Sequence, residues 1–163
     1  MITIIDYGAG NLRSVANAVA SLGYKAEVTS DPQKVLKADA VMLPGVGAAG
    51  DAMRSLEALG LVEAIRRVIA EDRPFFGVCL GLQVLFTFSE EGQGQQCFDI
   101  LPGRVKKLPQ GLKAPHMGWN QLKQRVAHPI FRGIPDGANF YFVHSYYPVP
   151  EDRSVSAGET DYG

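Results

Sequence analysis

The sequence has few cysteines, few histidines and almost no net charge. Its two cysteines cannot build a disulfide framework, so we expect a reduced, cytoplasmic chain. Its three histidines lie far apart and form no zinc-type cluster, so we expect no metal. Sixteen basic residues against seventeen acidic ones, with no basic run, argue against a nucleic-acid partner.

Long apolar segments are missing as well. The longest apolar stretch, residues 75–88, is interrupted by Gln83 and by glycines and is too short to cross a bilayer, so we expect no membrane association. The amino terminus lacks the basic and apolar regions of a signal peptide. A chain of 163 residues that is 46% hydrophobic and 20% charged is typical of one globular domain, expected to span residues 1–163.

The first half of the chain alternates between strand and helix patterns. Continuous apolar runs at residues 2–5, 40–43 and 75–78 are typical of buried parallel strands. A more polar run at 25–29 predicts a strand nearer the edge of the sheet. Helix patterns lie between these runs, at residues 12–22, 31–37 and 61–69.

The second half is dominated by strand-like segments between proline and glycine turns, at residues 105–108, 121–126, 140–145 and 154–158. We expect these segments to pair antiparallel. Together the two halves predict an α/β fold: an open, mostly parallel sheet with helices on both faces and an antiparallel extension in the second half.

The segment Gly77-Val78-Cys79-Leu80-Gly81 has the sequence form of a nucleophile elbow, with cysteine where many hydrolases have serine. It follows an apolar strand and precedes an apolar pattern (Leu82, Leu85, Phe86) that predicts a helix. Such a turn would place the Cys79 sulfur at a helix N-terminus, where the dipole favours thiolate, and would aim the Leu80 N–H at a developing oxyanion. A buried structural cysteine is the alternative, and the strand–turn–helix setting favours the nucleophile.

Two further glycine-rich turns follow predicted strands. Pro44-Gly45-Val46-Gly47 alone would be an ordinary strand-to-loop turn, but beside the elbow it predicts a second oxyanion donor at the carboxyl edge of the sheet. Asp6-Tyr7-Gly8-Ala9-Gly10-Asn11 does not complete a dinucleotide fingerprint, because Arg13 stands where the third glycine would fall. We therefore expect no cofactor there, and Asn11 to cap the following helix.

A cysteine nucleophile normally needs a base, and histidine is the usual one. His144 ends an aromatic strand pattern, His128 precedes a proline turn, and His116 is expected in a Pro/Gly loop. None has a neighbouring carboxylate that would orient it, so the residues alone leave the base unassigned.

The segment Gly77-Val78-Cys79-Leu80-Gly81-Leu82-Gln83 resembles the elbow of triad-type, class I glutamine amidotransferases. Within that family, the chain resembles the glutaminase subunits of imidazole glycerol phosphate synthases along its whole length. Four further segments carry the likeness: Asp6-Tyr7-Gly8-Ala9-Gly10-Asn11-Leu12, Leu43-Pro44-Gly45-Val46-Gly47, His116-Met117-Gly118-Trp119-Asn120 and Tyr141-Phe142-Val143-His144-Ser145-Tyr146.

The resemblance implies that Cys79 attacks the side-chain amide of L-glutamine, forms a thioester and releases ammonia. Leu80, Val46 and Gly47 would provide the oxyanion hole. Residues implied to bind the substrate are Gly45, Gln83, Glu91, Ser145 and Tyr146. Residues implied to face a (β/α)8-barrel cyclase subunit, in a heterodimer that receives the ammonia, are Asn11, Met117, Gly118, Trp119 and Asn120. For Trp119, a strand residue packed in the core is the alternative.

The sequence departs from the family at one point. Relatives carry the triad histidine and glutamate in a Phe-His-Pro-Glu segment, which has no match here, since His128-Pro129 is followed by Ile130 and lies too early. We therefore expect a C-terminally incomplete chain that alone is inactive or nearly so. Three other readings stay open: the glutaminase of another synthase, a non-enzymatic amidotransferase-like binding module, and a peptidase or chaperone of the related cysteine-elbow group.

Overall fold

The computed structural model describes all residues from Met1 to Gly163. The α-helices, α1 to α5, are Leu12–Ser21, Pro32–Leu36, Ala49–Ala58, Leu61–Ala70 and Leu80–Gln83. The strands of the first half, β1 to β4, are Ile2–Ile5, Ala26–Thr29, Ala40–Gly45 and Phe75–Cys79. The later strands, β5 to β12, are Phe86–Ser89, Gln95–Gln96, Leu101–Lys107, His116–Gln121, Lys123–Gln124, Asn139–His144, Tyr146–Pro150 and Gly158–Glu159.

The first four strands form a parallel sheet in the order β2-β1-β3-β4. The three apolar runs and the more polar run at 25–29 are all strands, and the polar one lies at an edge, as predicted. The other edge is β4, where Phe76 remains 48% exposed. The α/β class, with its mostly parallel sheet and its helices, is confirmed.

The predicted helices begin and end where their capping residues lie. The Asn11 side chain accepts a hydrogen bond from the backbone N–H of Ser14, which confirms its capping role. Asp31 caps α2 in the same way through Gln33, and Gly23 after α1 has φ +82, a conformation that favours glycine. No helix has the length and apolar character needed to span a membrane.

Two helix expectations need revision. The sequence reasoning missed α3, whose small buried residues Ala49 and Ala52 lie with Met53 and Leu56 on one face. The helix expected through Leu85 and Phe86 is wrong, because α5 is a single turn and Phe86 already begins β5. The backbone N–H groups of Phe98 and Ile100 bond the carbonyls of Val84 and Leu85, so this stretch is fixed by later chain.

Most strand pairs of the second half are antiparallel, and they form sheets separate from β1–β4 rather than extending the parallel sheet as expected. β8 pairs with β10, β7 with β11 and β9 with β12, all antiparallel, while β5 and β7 run parallel. The strand expected at 154–158 is wrong, because Arg153–Val155 is a 3-10 turn capped by Asp152. The segment expected as one strand at 121–126 contains only the short β9 beyond Gln121.

The core lies among the parallel sheet, α2, α3 and α4, and extends to Cys97 and Phe98. Its fully buried side chains include Ile5, Leu43, Leu56 and Ile65. Burial of each such side chain stabilises the fold by about 1.5–3 kcal/mol. This packed core holds the carboxyl ends of β3 and β4 in place.

Candidate active site

Cys79 lies in a strained turn at the carboxyl edge of the sheet. Its backbone has φ 55 and ψ −114, outside the conformations that side chains other than glycine prefer. The register of β3 and β4 places Cys79 directly beside Gly45. The Cys79 side chain is exposed, so a solute can reach the sulfur.

The glycines around Cys79 are required by close backbone contacts. A Cβ at Gly81 would lie 1.7 Å from the carbonyl oxygen of Leu43, and one at Gly77 would lie 2.6 Å from the carbonyl oxygen of Gly81. A Cβ at Gly45 would lie 2.9 Å from the backbone nitrogen of Gly81. The elbow and the 44–47 loop therefore pack backbone against backbone, as a nucleophile elbow requires.

The electrostatic setting of the thiol differs from expectation in one respect. Because α5 has only four residues, its dipole is smaller than that of the longer helix we expected. The N–H of Leu80, at the first position of α5, still lacks an acceptor within that helix. Val46 is exposed and Gly47 has φ +92, so the loop beside the thiol is open to a ligand.

Tyr7 is a site residue that the sequence reasoning did not identify. Its phenol is buried and lies 2.6 Å from where a Cβ on Gly45 would sit. Burial, with a smaller contribution from nearby Cys79, raises the pKa of Tyr7 to about 12. The phenol is therefore a neutral O–H donor close to Cys79. Its position just after a strand that neighbours β3 was the available signal.

Separate hydrogen bonds involve residues that are expected to bind the substrate. The Glu91 carboxylate accepts a 2.7 Å hydrogen bond from the Ala49 N–H, at the start of α3 just beyond the 44–47 loop. The Gln83 side-chain amide donates to the backbone carbonyl of Tyr146 at 3.2 Å, and the Ser145 carbonyl accepts from Leu108. Gln83, one turn beyond Cys79, thus ties the elbow helix to the 145–146 segment.

None of the three histidines hydrogen-bonds the Cys79 thiol. His116 and His144 bond each other, and His128 caps a 3-10 turn by accepting from the Ile130 N–H. The loop expected around His116 is wrong, because this residue begins β8 and is only 4% exposed. Burial, and then the neighbouring His144, lower the pKa of His116.

The residues expected to face a partner lie mainly on the β8–β10 ribbon. Met117 and Trp119 are 61% and 72% exposed, and the register places them opposite Val143 and Tyr141, themselves 54% and 56% exposed. These four side chains alternate along the strands and share one face, which we call the ribbon face. Trp119 is therefore not a core residue. Gly118 and Asn120 belong to the same strand, whereas Asn11 is the N-cap of α1.

Comparison with known proteins places this chain in a family. The family model described as "Glutamine amidotransferase class-I" matches residues 3–161 of this chain. The imidazole glycerol phosphate synthase subunit HisH of Dehalococcoides mccartyi is 57% identical over 163 residues, all of this chain and 80% of the relative. HisH of Moorella thermoacetica is 56% identical over 162 residues, 99% of this chain and 77% of the relative.

Solved structures agree on the fold. A structure described as a glutamine amidotransferase superposes with a TM-score of 0.68 at 18% identity, over 93% of this chain and 75% of that one. PurLQS from Thermotoga maritima gives a TM-score of 0.73 at 16% identity, over 99% of this chain and 75% of that one. At these identities the likeness concerns the fold alone.

The fold and the match over residues 3–161 define a glutamine amidotransferase, and the chain belongs to the class I glutamine amidotransferase family. Within that family it groups with the HisH subunits of imidazole glycerol phosphate synthase. The resemblance predicted from the five sequence segments is therefore confirmed. The chain spans about four fifths of the length of those relatives.

Proposed function

We propose that this chain is the glutaminase subunit of an imidazole glycerol phosphate synthase, acting in histidine biosynthesis. It hydrolyses L-glutamine to glutamate and ammonia. The observation that carries the proposal is the strained, exposed Cys79, paired with Gly45 at the carboxyl edge of the sheet. A nucleophilic thiol must stay reduced, which favours a cytoplasmic setting.

The proposed chemistry begins when the Cys79 thiolate attacks the side-chain carbonyl carbon of glutamine. The carbonyl oxygen becomes negatively charged and is met by the N–H groups of Leu80 and of Val46 or Gly47. The tetrahedral intermediate collapses, the C–N bond breaks, and the nitrogen takes up the proton that the thiol lost and leaves as ammonia. Water then cleaves the thioester and releases glutamate with the free thiol.

The substrate's amino and carboxylate groups need partners outside the elbow. Gln83, Glu91, Ser145 and Tyr146 are proposed for this role, with Gly45 leaving room for the amide. Their support is positional: Gln83 bonds the Tyr146 carbonyl, and Glu91 fixes the start of α3 just beyond the 44–47 loop. Ammonia formed here would pass to a (β/α)8-barrel cyclase subunit.

The ribbon face is the proposed docking surface for that subunit. Isolated exposed apolar residues are ordinary, but four on one face of a ribbon are typical of a protein contact. Asn11, Gly118 and Asn120 are proposed to contribute at its margins. A heterodimer of the two subunits is therefore expected.

The proposal is tested by an electrophilic analogue of glutamine, such as its γ-chloroketone. We expect one covalent adduct, on Cys79, and slower labelling when glutamine is added. Cys79→Ala should abolish labelling, while the matched variant Cys97→Ala should retain it. Labelling that glutamine does not slow would contradict the proposal and favour the peptidase-like reading. No labelling at all would favour a non-enzymatic module.

A further inference from the structure

A continuous chain of hydrogen bonds connects the partner-facing strand to the elbow helix. The Asn120 side-chain nitrogen lies 3.3 Å from His116 Nε2, and His116 Nδ1 lies 3.0 Å from His144 Nε2. His144 Nδ1 lies 3.0 Å from the Tyr146 carbonyl oxygen, which also accepts from Gln83. Neither histidine belongs to the catalytic or binding residues proposed above.

The proton positions along these hydrogen bonds follow from the groups at the two ends, the Tyr146 carbonyl and the Asn120 amide. The Tyr146 carbonyl can only accept, so His144 must carry its proton on Nδ1. A neutral His144 then offers a lone pair at Nε2, and His116 must donate from Nδ1. His116 Nε2 is left as an acceptor, and the Asn120 amide donates to it. Every donor therefore meets an acceptor, and all bonds point from Asn120 towards Tyr146.

The surroundings of His116 favour a neutral, fixed ring. It stacks on Tyr162 with ring centroids 3.8 Å apart and on Phe142 at 4.9 Å. The Asn120 amide is itself held by a second bond, to the Asp161 carbonyl at 2.9 Å. No carboxylate bonds either imidazole, so nothing compensates a positive charge there.

We propose that His116 and His144 form a neutral, one-directional relay that positions the 145–146 segment for glutamine and couples it to the strand that faces the partner. His116 is a positioning residue, since it acts on the substrate through His144 and the Tyr146 carbonyl. The positioning of the 145–146 segment for glutamine rests on the proposed function. The hydrogen-bond relay between the two histidines does not.

The first test reads the proton positions directly and needs no glutamine chemistry. Long-range proton–nitrogen NMR spectra of the imidazoles, recorded near neutral pH, should show the Nδ1–H form for both His116 and His144. This form is the less common one for a free histidine. His128, whose Nδ1 accepts from Ile130, is the internal control and should show the Nε2–H form. A proton on Nε2 of His144, or a charged ring at either position, would overturn the relay.

The second test separates donation from stacking at His116, in the chain bound to its cyclase partner. In His116→Asn the side-chain amide can donate from the place of Nδ1, whereas His116→Phe keeps the stacking and loses the donor. The readout is the glutamine concentration that halves the labelling rate of Cys79 by the chloroketone. We expect it to change less than twofold in His116→Asn and to rise about tenfold in His116→Phe, as for loss of a bond in a buried network.

The saturating labelling rate should change less than twofold in both variants, because Cys79 itself is untouched. His128→Asn is the matched control and should behave as the parent. Equal glutamine protection in His116→Phe and the parent would overturn the positioning role. If Cys79 is not labelled at all, the proposed function fails while the NMR result still decides the relay.

Discussion

Single residues set the chemistry of this site through their backbone and their burial. Cys79 adopts a positive-φ conformation that costs about 1–3 kcal/mol, and the fold maintains it through the tight contacts of Gly45, Gly77 and Gly81. The second cysteine has the opposite setting. Cys97 is buried, its thiol donates to the Gln95 carbonyl, and burial raises its pKa to about 11.

The two thiols should therefore differ in alkylation. Because the pKa of Cys97 is raised, its thiol stays protonated below about pH 11, and at pH 8 only about one part in a thousand is thiolate. Iodoacetamide at pH 8 should modify Cys79 alone, as read by peptide mass spectrometry. Denaturant should expose Cys97 and give a second adduct. Equal modification of both thiols in the folded chain would contradict the burial of Cys97.

The close approach at the elbow predicts a large effect of one methyl group. In Gly81→Ala the new Cβ meets backbone, the Leu43 carbonyl, which cannot move aside. We expect a loss of at least about 3 kcal/mol in the free energy of unfolding, measured by urea denaturation.

The control is Gly50→Ala in α3, where the new Cβ meets only the ends of the flexible Gln95 and Arg54 side chains at 3.2 and 3.4 Å. Its free energy of unfolding should stay within about 1 kcal/mol of the parent, because alanine favours helix. A similar loss of unfolding free energy in both variants would mean that the backbone contact at Gly81 contributes no more to stability than an ordinary helix position.

At the scale of elements, local sequence predicted what local interactions determine. The capped helices α1 and α2 and the apolar strands of the sheet were identified, because Asn11, Asp31 and continuous apolar runs act within a few residues. The apolar pattern of Leu82, Leu85 and Phe86 predicts a helix, but Phe86 begins β5, whose pairing with β6 and β7 that pattern does not reveal. His116 was assigned to a loop for the same reason, since its burial depends on Phe142 and Tyr162.

The candidate site was predictable to the extent that it follows sequence motifs. The elbow and the 44–47 loop were read from glycine spacing, and the structure places Cys79 and Gly45 side by side. Tyr7 and the His116–His144 pair were not found, because contacts between strands distant in sequence bring them into place. The individual binding roles of Gln83, Glu91, Ser145 and Tyr146 stay predictions.

The ribbon face carries a prediction at this same scale. Trp119 is 72% exposed and contacts Tyr141 edge to face, so its removal should have little effect on folding. Trp119→Ala should weaken binding of the cyclase subunit by about thirtyfold or more, as for a central aromatic contact. Isothermal titration calorimetry measures this. The control is Leu22→Ala, a side chain of similar exposure, 74%, next to α1 and off the ribbon. Equal affinities in both variants would exclude the ribbon face as the interface.

At the scale of the whole molecule, the 163 residues leave the Cys79 thiol exposed at the edge of the sheet, and none of the three histidines hydrogen-bonds it. Proton transfer by a positioned side chain accelerates such reactions by about 10²–10⁴. We therefore expect the 163-residue polypeptide, mixed with its cyclase subunit, to hydrolyse glutamine at least about a hundredfold more slowly than HisH relatives do. A coupled assay of glutamate formation checks this rate. Turnover as fast as that of the HisH relatives would show that one of the 163 residues serves as the base.

The open side of β4 has a consequence for handling the protein. On this side the backbone amides and carbonyls of β4 have no neighbouring strand. Phe76, in the same strand, is about half exposed. Such a border can template pairing between molecules. Concentrated samples should therefore assemble reversibly, seen as light scattering that grows with concentration, and a lysine in place of Phe76 should suppress it.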